Sequence, residues 1–420
     1  MIREYLKKYK VLVENFFSLS ILNVINVLLP MITIPYLMSA LKEDGYGSYY
    51  YIYTLIQLII TISNYGFNFS ATKSISQNRD DRQTVSTIFN SVIASKAIIS
   101  LLVLLVIWGL SPFILKTSIE KLMFLAGTGM IIGDIFNPVW FYQGVEKMRY
   151  ITIVNVSSKL LFTILVFFLI HSSDDLVLLL TINSAGYLLA GILSIVFVRK
   201  IFAINFHFVS VGDISKQIKE GAALFGSTMG INLYRRMNVL IMKWVVGDDA
   251  VVGIYSAAEQ IIRAVQSVIN PIAQALFPHF SQKFKKQNTD ENLKMLQKIA
   301  KPMALVVILG AVVTGLLARP DWLALLGEKY QGTSFLIRLM LPVIVFGELN
   351  YLLGFVGLIN LNKQKYFFSS VLITGIFSIL VMLCTAYRLQ EVSGAAAMSL
   401  AEILLFVLCV ARLVALKKKK

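Results

Sequence analysis

Seven basic residues, Lys96, Lys159, Arg235, Arg236, Lys243, Arg263 and Arg338, lie inside long apolar stretches of this chain, together with four acidic ones, Asp134, Glu259, Glu348 and Glu402. The chemistry such groups offer is electrostatic: at an effective dielectric near 20, a close pair of opposite charges gains a few kcal/mol. An excess of cations suits an anion, and a phosphate or pyrophosphate head matches both their charge and their hydrogen-bonding geometry. The carboxylates offer either counter-charge or a small-ion site. If these stretches cross a bilayer, leaving all seven cations against lipid would cost about 20 kcal/mol at roughly 3 kcal/mol each, more than the roughly 5–15 kcal/mol that stabilises a typical fold. Most of them must therefore face water, a partner group or a ligand.

Spacing gathers these groups onto faces. Within residues 251–277, Glu259, Arg263, Gln266, Asn270 and Gln274 recur at steps of four, three, four and four, one face of a single helix. An unbroken apolar run of that length can cross a bilayer, and a polar stripe at membrane depth belongs in a water-filled lumen. The stripe has an upstream counterpart. An offset of 206 carries Glu259, Arg263, Asn270 and Gln274 onto Tyr53, Gln57, Asn64 and Asn68, and Gly253 and Tyr255 onto Gly47 and Tyr49. A looser echo relates Gly133-Asp134 and Lys147-Met148-Arg149-Tyr150 to Gly347-Glu348 and Lys363-Gln364-Lys365-Tyr366. These matches predict two copies of one unit, an internal symmetry common in transporters.

Each charge has a bland reading beside the functional one. Lys243 and Arg338 lie near the outer ends of their runs, where a long side chain snorkels to the interface. Lys96 and Lys159 sit deeper, where snorkelling and lumen exposure are both open. Glu259 and Arg263 are one turn apart and either neutralise each other or serve the lumen. Arg235 and Arg236 point about 100° apart and cannot share one narrow face; Arg236 aligns with Asn232 and is the better lumen candidate. Asp134 and Glu348 occupy matching places in the two halves, which favours a shared role in helix pairing or ion binding.

The elements that position these groups are membrane helices. With 57% hydrophobic and 15% charged residues over 420 positions, the composition is that of a polytopic membrane protein. Twelve apolar runs begin near Phe16, Tyr49, Thr87, Leu122, Ile151, Leu176, Ala222, Val251, Ile299, Phe335, Phe367 and Val392. The net charge of +16 would point to nucleic acid in a soluble chain. Here the basic residues sit in short gaps between runs, and placing the amino terminus in the cytoplasm puts about 26 of them inside and about six outside. Both termini are expected in the cytoplasm. The basic start leads into a span too long for a signal-peptide core, so the first helix is expected to be retained. Outer connections such as Glu43-Asp44, Asp174-Asp175 and Asp248-Asp249 are short, and the inner segment 199–221 is expected along the interface. Tyr49-Tyr50-Tyr51 and Trp140-Phe141-Tyr142 read as interfacial belts.

Several classes lack their signatures. No Gly-x-x-x-x-Gly-Lys-Ser/Thr loop, His-Glu-x-x-His or Gly-x-Ser-x-Gly motif occurs, so neither an ATP motor nor a familiar catalytic centre is indicated. Gly127, Gly129 and Gly133 approach a dinucleotide fingerprint but lie inside an apolar run, where close helix packing explains them. Cys384, Cys409 and three histidines give no disulfide or metal spacing, and no cofactor is expected.

Four stretches carry a family likeness: Pro35-Tyr36-Leu37 to Gly45-Tyr46-Gly47; Tyr65-Gly66-Phe67-Asn68 to Thr72-Lys73-Ser74-Ile75-Ser76; Pro138 to Met148 through Trp140-Phe141-Tyr142-Gln143-Gly144; and Val252 to Ala258. They resemble the polysaccharide-biosynthesis branch of the multidrug/oligosaccharidyl-lipid/polysaccharide exporter superfamily, in particular O-antigen or repeat-unit flippases. The resemblance implies an all-α polytopic fold of twelve transmembrane helices in two pseudo-symmetric six-helix bundles, 1–205 and 221–420, joined by an interfacial linker at 206–220. It further implies alternating access that moves an undecaprenyl-pyrophosphate-linked oligosaccharide from the cytoplasmic to the periplasmic leaflet of a bacterial inner membrane. Cavity cations would hold the pyrophosphate, with Arg263, Arg236, Lys159, Lys96 and Arg235 as the positions here. Asp134, Glu259 and Glu348 would be coupling or cavity acids, and Gln57, Asn64, Asn68, Gln266 and Asn270 a polar cavity face. Membrane lipids and a polysaccharide polymerase with its chain-length machinery would be partners. An ion-coupled drug or metabolite antiporter of the same superfamily is the alternative, and a membrane polymerase or ligase a third reading, against which the short outer loops weigh.

Overall fold

No water is available to backbone amides and carbonyls in a bilayer interior, so segments this apolar must close their hydrogen bonds within helices. The computed structural model follows that rule: among the described residues every regular element is a helix and no strand occurs. It describes residues 2–418 except 285–288, 325, 327 and 362, and their side chains except 2–13, 16, 19, 223–224, 226–234, 269–284, 289–290, 328–329 and 418. Each of the twelve apolar runs begins within a helix. Nine helices among the described residues are long and apolar enough to span a membrane, and one of these, Ser20–Gln77, holds two of the runs. The Val211–Val245 and Asp249–Phe284 helices, 35 and 36 residues long, fall outside the nine. They carry Arg235, Arg236, Lys243, Glu259 and Arg263.

The connection expected at Glu43-Asp44 is a kink rather than a loop. The helix Ile2–Asn64 runs through it, redirected by Lys42 alone at φ 55 and ψ −176, while Pro30 and Pro35 lie inside without ending it. One residue in non-helical dihedrals is enough to turn the chain.

One compact unit comprises Met1–Tyr36 and Ile52–Met229. Its most extensive packing joins Ser118–Ile135 to Leu176–Ile201. The Gly127, Gly129 and Gly133 series makes that approach possible: a Cβ at Gly133 would meet the Tyr187 main chain, and one at Gly129 would lie 2.7 Å from the Ser184 Cβ. Ser184 Oγ donates to the Ala126 carbonyl at 2.6 Å across the same seam. The Trp140-Phe141-Tyr142 group is not an interfacial belt; its residues are buried, at 1%, 0% and 0% exposure. The helix ends at Ile135, and Pro138 starts the short Val139–Gly144 helix, which turns these rings inward against Phe89, Tyr150 and Phe202.

The other unit comprises Leu37–Tyr51 and Gly230–Lys420. Here Gly47 and Gly253, which the 206-residue offset equates, meet face to face. A Cβ on Gly47 would strike the Asp249 carbonyl, and a Cβ on Gly253 would strike the Glu43 carbonyl, the equivalent residue of the other copy. Tyr49, Tyr50 and Tyr51 are buried beside this crossing instead of forming a belt. The tenth run divides into Thr333–Leu339, Leu341–Asn350 with Pro342 in its first turn, and the π-helical Tyr351–Leu358. Such wide turns often mark functional sites.

Candidate functional site

In the first unit the acid and one cation at membrane depth satisfy each other. Lys96 Nζ lies 2.8 Å from Asp134 Oδ2 and 2.7 Å from the Asp134 carbonyl, with the lysine 1% exposed. Asn64 Nδ2 donates to the same carboxylate at 3.3 Å. Lys159 is different. Its ammonium donates to Asn26 Oδ1 at 2.6 Å and has no carboxylate within ion-pair distance among the described residues. Gln57 Nε2 donates to the Tyr187 hydroxyl at 2.8 Å and is buried. Asn68 does not continue the helix that carries Gln57 and Asn64: Tyr65 (φ 41) and Gly66 (φ 86) break the chain, and Asn68 lies exposed on the Phe67–Gln77 helix. A left-handed Gly turn is the local cause, and helical periodicity alone does not register it.

In the second unit Arg235 pairs with Glu402 at 2.8 Å, and Asn350 Nδ2 donates to the other Glu402 oxygen at 2.8 Å. With Gln266 and Glu348 they line a cavity of about 270 Å³ beside the π-helical turn. Glu348 is 2% exposed and its Oε2 accepts no hydrogen bond. Gln266 is anchored by donation to the Val343 carbonyl at 2.9 Å. Arg263 and Glu259 form the one-turn pair at 2.5 Å, leaving Glu259 Oε2 buried without a hydrogen bond. Arg236 is half-buried, and no described carboxylate or hydrogen-bond acceptor pairs with it. The side chains of Asn232, Asn270 and Gln274 lie outside the described residues.

Lys243 does not snorkel. It is 7% exposed, pairs with Asp249 at 2.6 Å and lies over the Tyr51 ring at 5.7 Å. The acid that holds it begins the next helix after a sharp turn at Gly247, so the pair spans only six residues of sequence. Arg338 is exposed and donates to the Ala318 carbonyl at 3.3 Å.

Four of the seven cations are thus held by carboxylates, which offsets part of the cost of burying them. Lys159 and Arg236 have no carboxylate partner among the described residues. The positions missed from sequence are the neutral partners Asn26, Tyr187 and Asn350. Each is a polar residue in an apolar run, which was the available signal, but none falls on either polar stripe.

The model of the family described as "Polysaccharide biosynthesis protein" matches residues 12–284. The chain belongs to that family. A relative from Escherichia coli (strain K12) named "Putative O-antigen transporter" is 25% identical over 388 residues, covering 91% of this chain and 92% of the relative. A second protein of that name, from Shigella dysenteriae, is 28% identical over 272 residues, covering 64% of this chain and 67% of that one. Among solved structures the fold matches the lipid II flippase MurJ in an inward closed conformation, with a TM-score of 0.76 at 12% identity over 97% of this chain and 88% of that one. It also matches an inward-facing MATE family multidrug transporter of the MOP superfamily, with a TM-score of 0.68 at 14% identity over 95% and 99% of the two chains. This family member is an all-helical, multi-pass membrane protein with the MOP exporter fold.

Proposed function

We propose that the protein is a flippase that carries an undecaprenyl-pyrophosphate-linked oligosaccharide of O-antigen type from the cytoplasmic to the periplasmic leaflet by alternating access. The observation that carries the reading is the pair of mid-run cations, Lys159 and Arg236, that have no carboxylate partner among the described residues, in a member of a polysaccharide-biosynthesis family. Their function would be to hold the pyrophosphate through charge-assisted hydrogen bonds while the lipid tail stays in the bilayer. Lys96, Arg235 and Arg263, each bound to an acid, would set the field around that site and hold helices together. The bundles 1–205 and 221–420, linked through 206–220, would move against each other in the inner membrane with both termini cytoplasmic. The relatives' names and the flippase fold of MurJ support this reading, and no covalent chemistry is required of the chain.

The test is leaflet transfer. In vesicles holding the purified chain and a labelled undecaprenyl-pyrophosphate oligosaccharide, transfer should depend on the protein and fall when Lys159 or Arg236 is neutralised. Absence of protein-dependent transfer with the correct repeat unit present would defeat the proposal. A second reading, ion-coupled antiport, draws on Glu348, whose buried oxygen lacks a hydrogen bond beside a cavity. Gradient-driven efflux of organic cations without any polyprenyl lipid would favour it.

A further inference from the structure

Where the Leu176–Ile201 helix ends, residues 202–210 leave it without regular structure before Val211 starts the next helix. This segment is pinned in place. Ala203 adopts φ +51, and its carbonyl accepts from the Arg82 guanidinium. Asn90, 4% exposed, donates to the Asn205 carbonyl at 3.1 Å, meets His207 Nδ1 at 3.0 Å, and accepts from the His207 amide at 3.4 Å. Phe206 packs on Phe89 at 5.9 Å and on Phe136 at 6.3 Å.

The residues that follow are aimed away from that anchorage. Phe208 is fully exposed, at 106%, and Val211 is 82% exposed. Holding a phenylalanine in water on a fixed segment forgoes the favourable burial of its ring. Next to it, Arg82, Gln83, Ser86, Thr87, Ala203 and His207 line a groove of about 540 Å³. His207 lines this groove with its Nδ1 engaged by Asn90, and the Arg82 guanidinium has donors beyond the one given to Ala203. Arg199 and Lys200 stand in the last turn of the preceding helix. Of the nearby acids, Asp81 accepts from the Thr84 hydroxyl at 2.6 Å, Asp213 from Ser210 at 2.7 Å and Glu220 from Ser74 at 3.3 Å.

We infer that this groove binds the phosphate of an anionic phospholipid in the adjoining leaflet, with Phe208 and Val211 inserted between its acyl chains. Cations at the level where a membrane helix ends, beside apolar side chains pointing outward, are complementary to a charged headgroup above a hydrocarbon layer. A free inorganic phosphate would use Arg82 and His207 but would leave Phe208 and Val211 in water, so the lipid accounts for both halves of the surface. The site is independent of the cargo proposed above.

Two measurements on the full-length chain decide it. In the first, protein from vesicles of phosphatidylcholine and phosphatidylglycerol is examined by native mass spectrometry for retained lipid. Phosphatidylglycerol should be retained preferentially, and Arg82→Gln and His207→Gln should each lower its retention, by roughly fivefold for the arginine. In the second, Phe208→Cys in a Cys384→Ala background is labelled with an environment-sensitive dye. Doxyl-phospholipids should quench it and aqueous iodide should not. Because Phe208 contacts no packed group, this variant reports even if Arg82→Gln folds poorly. Equal retention of both lipids, displacement of phosphatidylglycerol by millimolar inorganic phosphate, or quenching by iodide alone would each overturn the inference.

Discussion

Among the charged residues, exposure is a weaker guide to role than partnership. Lys159 and Arg236 are half-buried like many of their neighbours, yet they differ from Lys96, Arg235, Lys243 and Arg263 in having no acid attached among the described residues. Replacing Lys159 or Arg236 with glutamine should therefore reduce lipid-linked oligosaccharide transfer at least tenfold while leaving the unfolding midpoint in detergent nearly unchanged. The paired cations should behave the opposite way. Lys96→Ala strands the Asp134 carboxylate in a site where its partner was 1% exposed, and breaking a buried pair from one side costs about 3–5 kcal/mol. A Lys96→Leu, Asp134→Leu double variant should recover much of that loss in thermal unfolding, because it removes both charges together. The sequence made all seven cations visible as an excess, and the one-turn Glu259–Arg263 pair could be read from spacing. Pairs such as Lys96–Asp134 and Arg235–Glu402 join residues 38 and 167 positions apart, and helical periodicity carries no information about which helices become neighbours.

At the scale of elements, the positions of the helices were legible because hydrocarbon leaves the backbone no alternative. Two interruptions were not, because each depends on one or two residues: Lys42 at its kink and Tyr65-Gly66 at the break before Asn68. The crossing of Gly47 with Gly253 is the sharpest test of the duplicated architecture. A methyl group on either glycine meets backbone, which cannot rotate away. Gly47→Ala and Gly253→Ala should each lower stability by about 1–3 kcal/mol, and the double variant should cost less than the sum, since both load one contact. Gly109→Ala, with nothing within 4 Å of the added carbon, is the control and should be neutral or slightly stabilising. A pH effect belongs to the start of the Arg82–Gly109 helix. Hydrogen bonds from the Thr84 hydroxyl and the Thr84 and Gln83 amides hold the Asp81 carboxyl below its ordinary range. A depressed carboxyl stabilises the fold above its unfolded value, about 3.9, and the contribution disappears as pH falls through the folded value. Asp81→Asn keeps an acceptor at the cap and should flatten that acid dependence, whereas Asp81→Ala should lose the contribution at neutral pH as well.

For the whole molecule, the proposed orientation rests on charge counted along the chain. With the amino terminus placed in the cytoplasm, about 26 Lys and Arg would fall inside and about six outside, a bias of the kind that fixes which loops stay in the cytoplasm. Asp174, exposed between the helices Arg149–Leu169 and Leu176–Ile201, and Lys298, exposed in the helix Thr289–Leu317, come from loops assigned to opposite sides. Cys384 is exposed and Cys409 buried, so both are replaced by alanine before single cysteines are introduced at 174 or 298. A maleimide reagent that cannot cross the inner membrane should label Asp174→Cys in intact spheroplasts and label Lys298→Cys only after permeabilisation. The reverse pattern would invert the topology and place the proposed direction of transfer, from cytoplasm to periplasm, on the wrong face of the same helices. Labelling of both positions from outside would instead mean that the two do not flank an odd number of spans, and the count of twelve would have to change. The phospholipid groove provides an independent check, because the 202–210 segment lies on the same predicted side as Lys298. Phosphatidylglycerol confined to the outer leaflet of vesicles with a known protein orientation should reach Arg82 and His207 only when the Lys298 side faces outward.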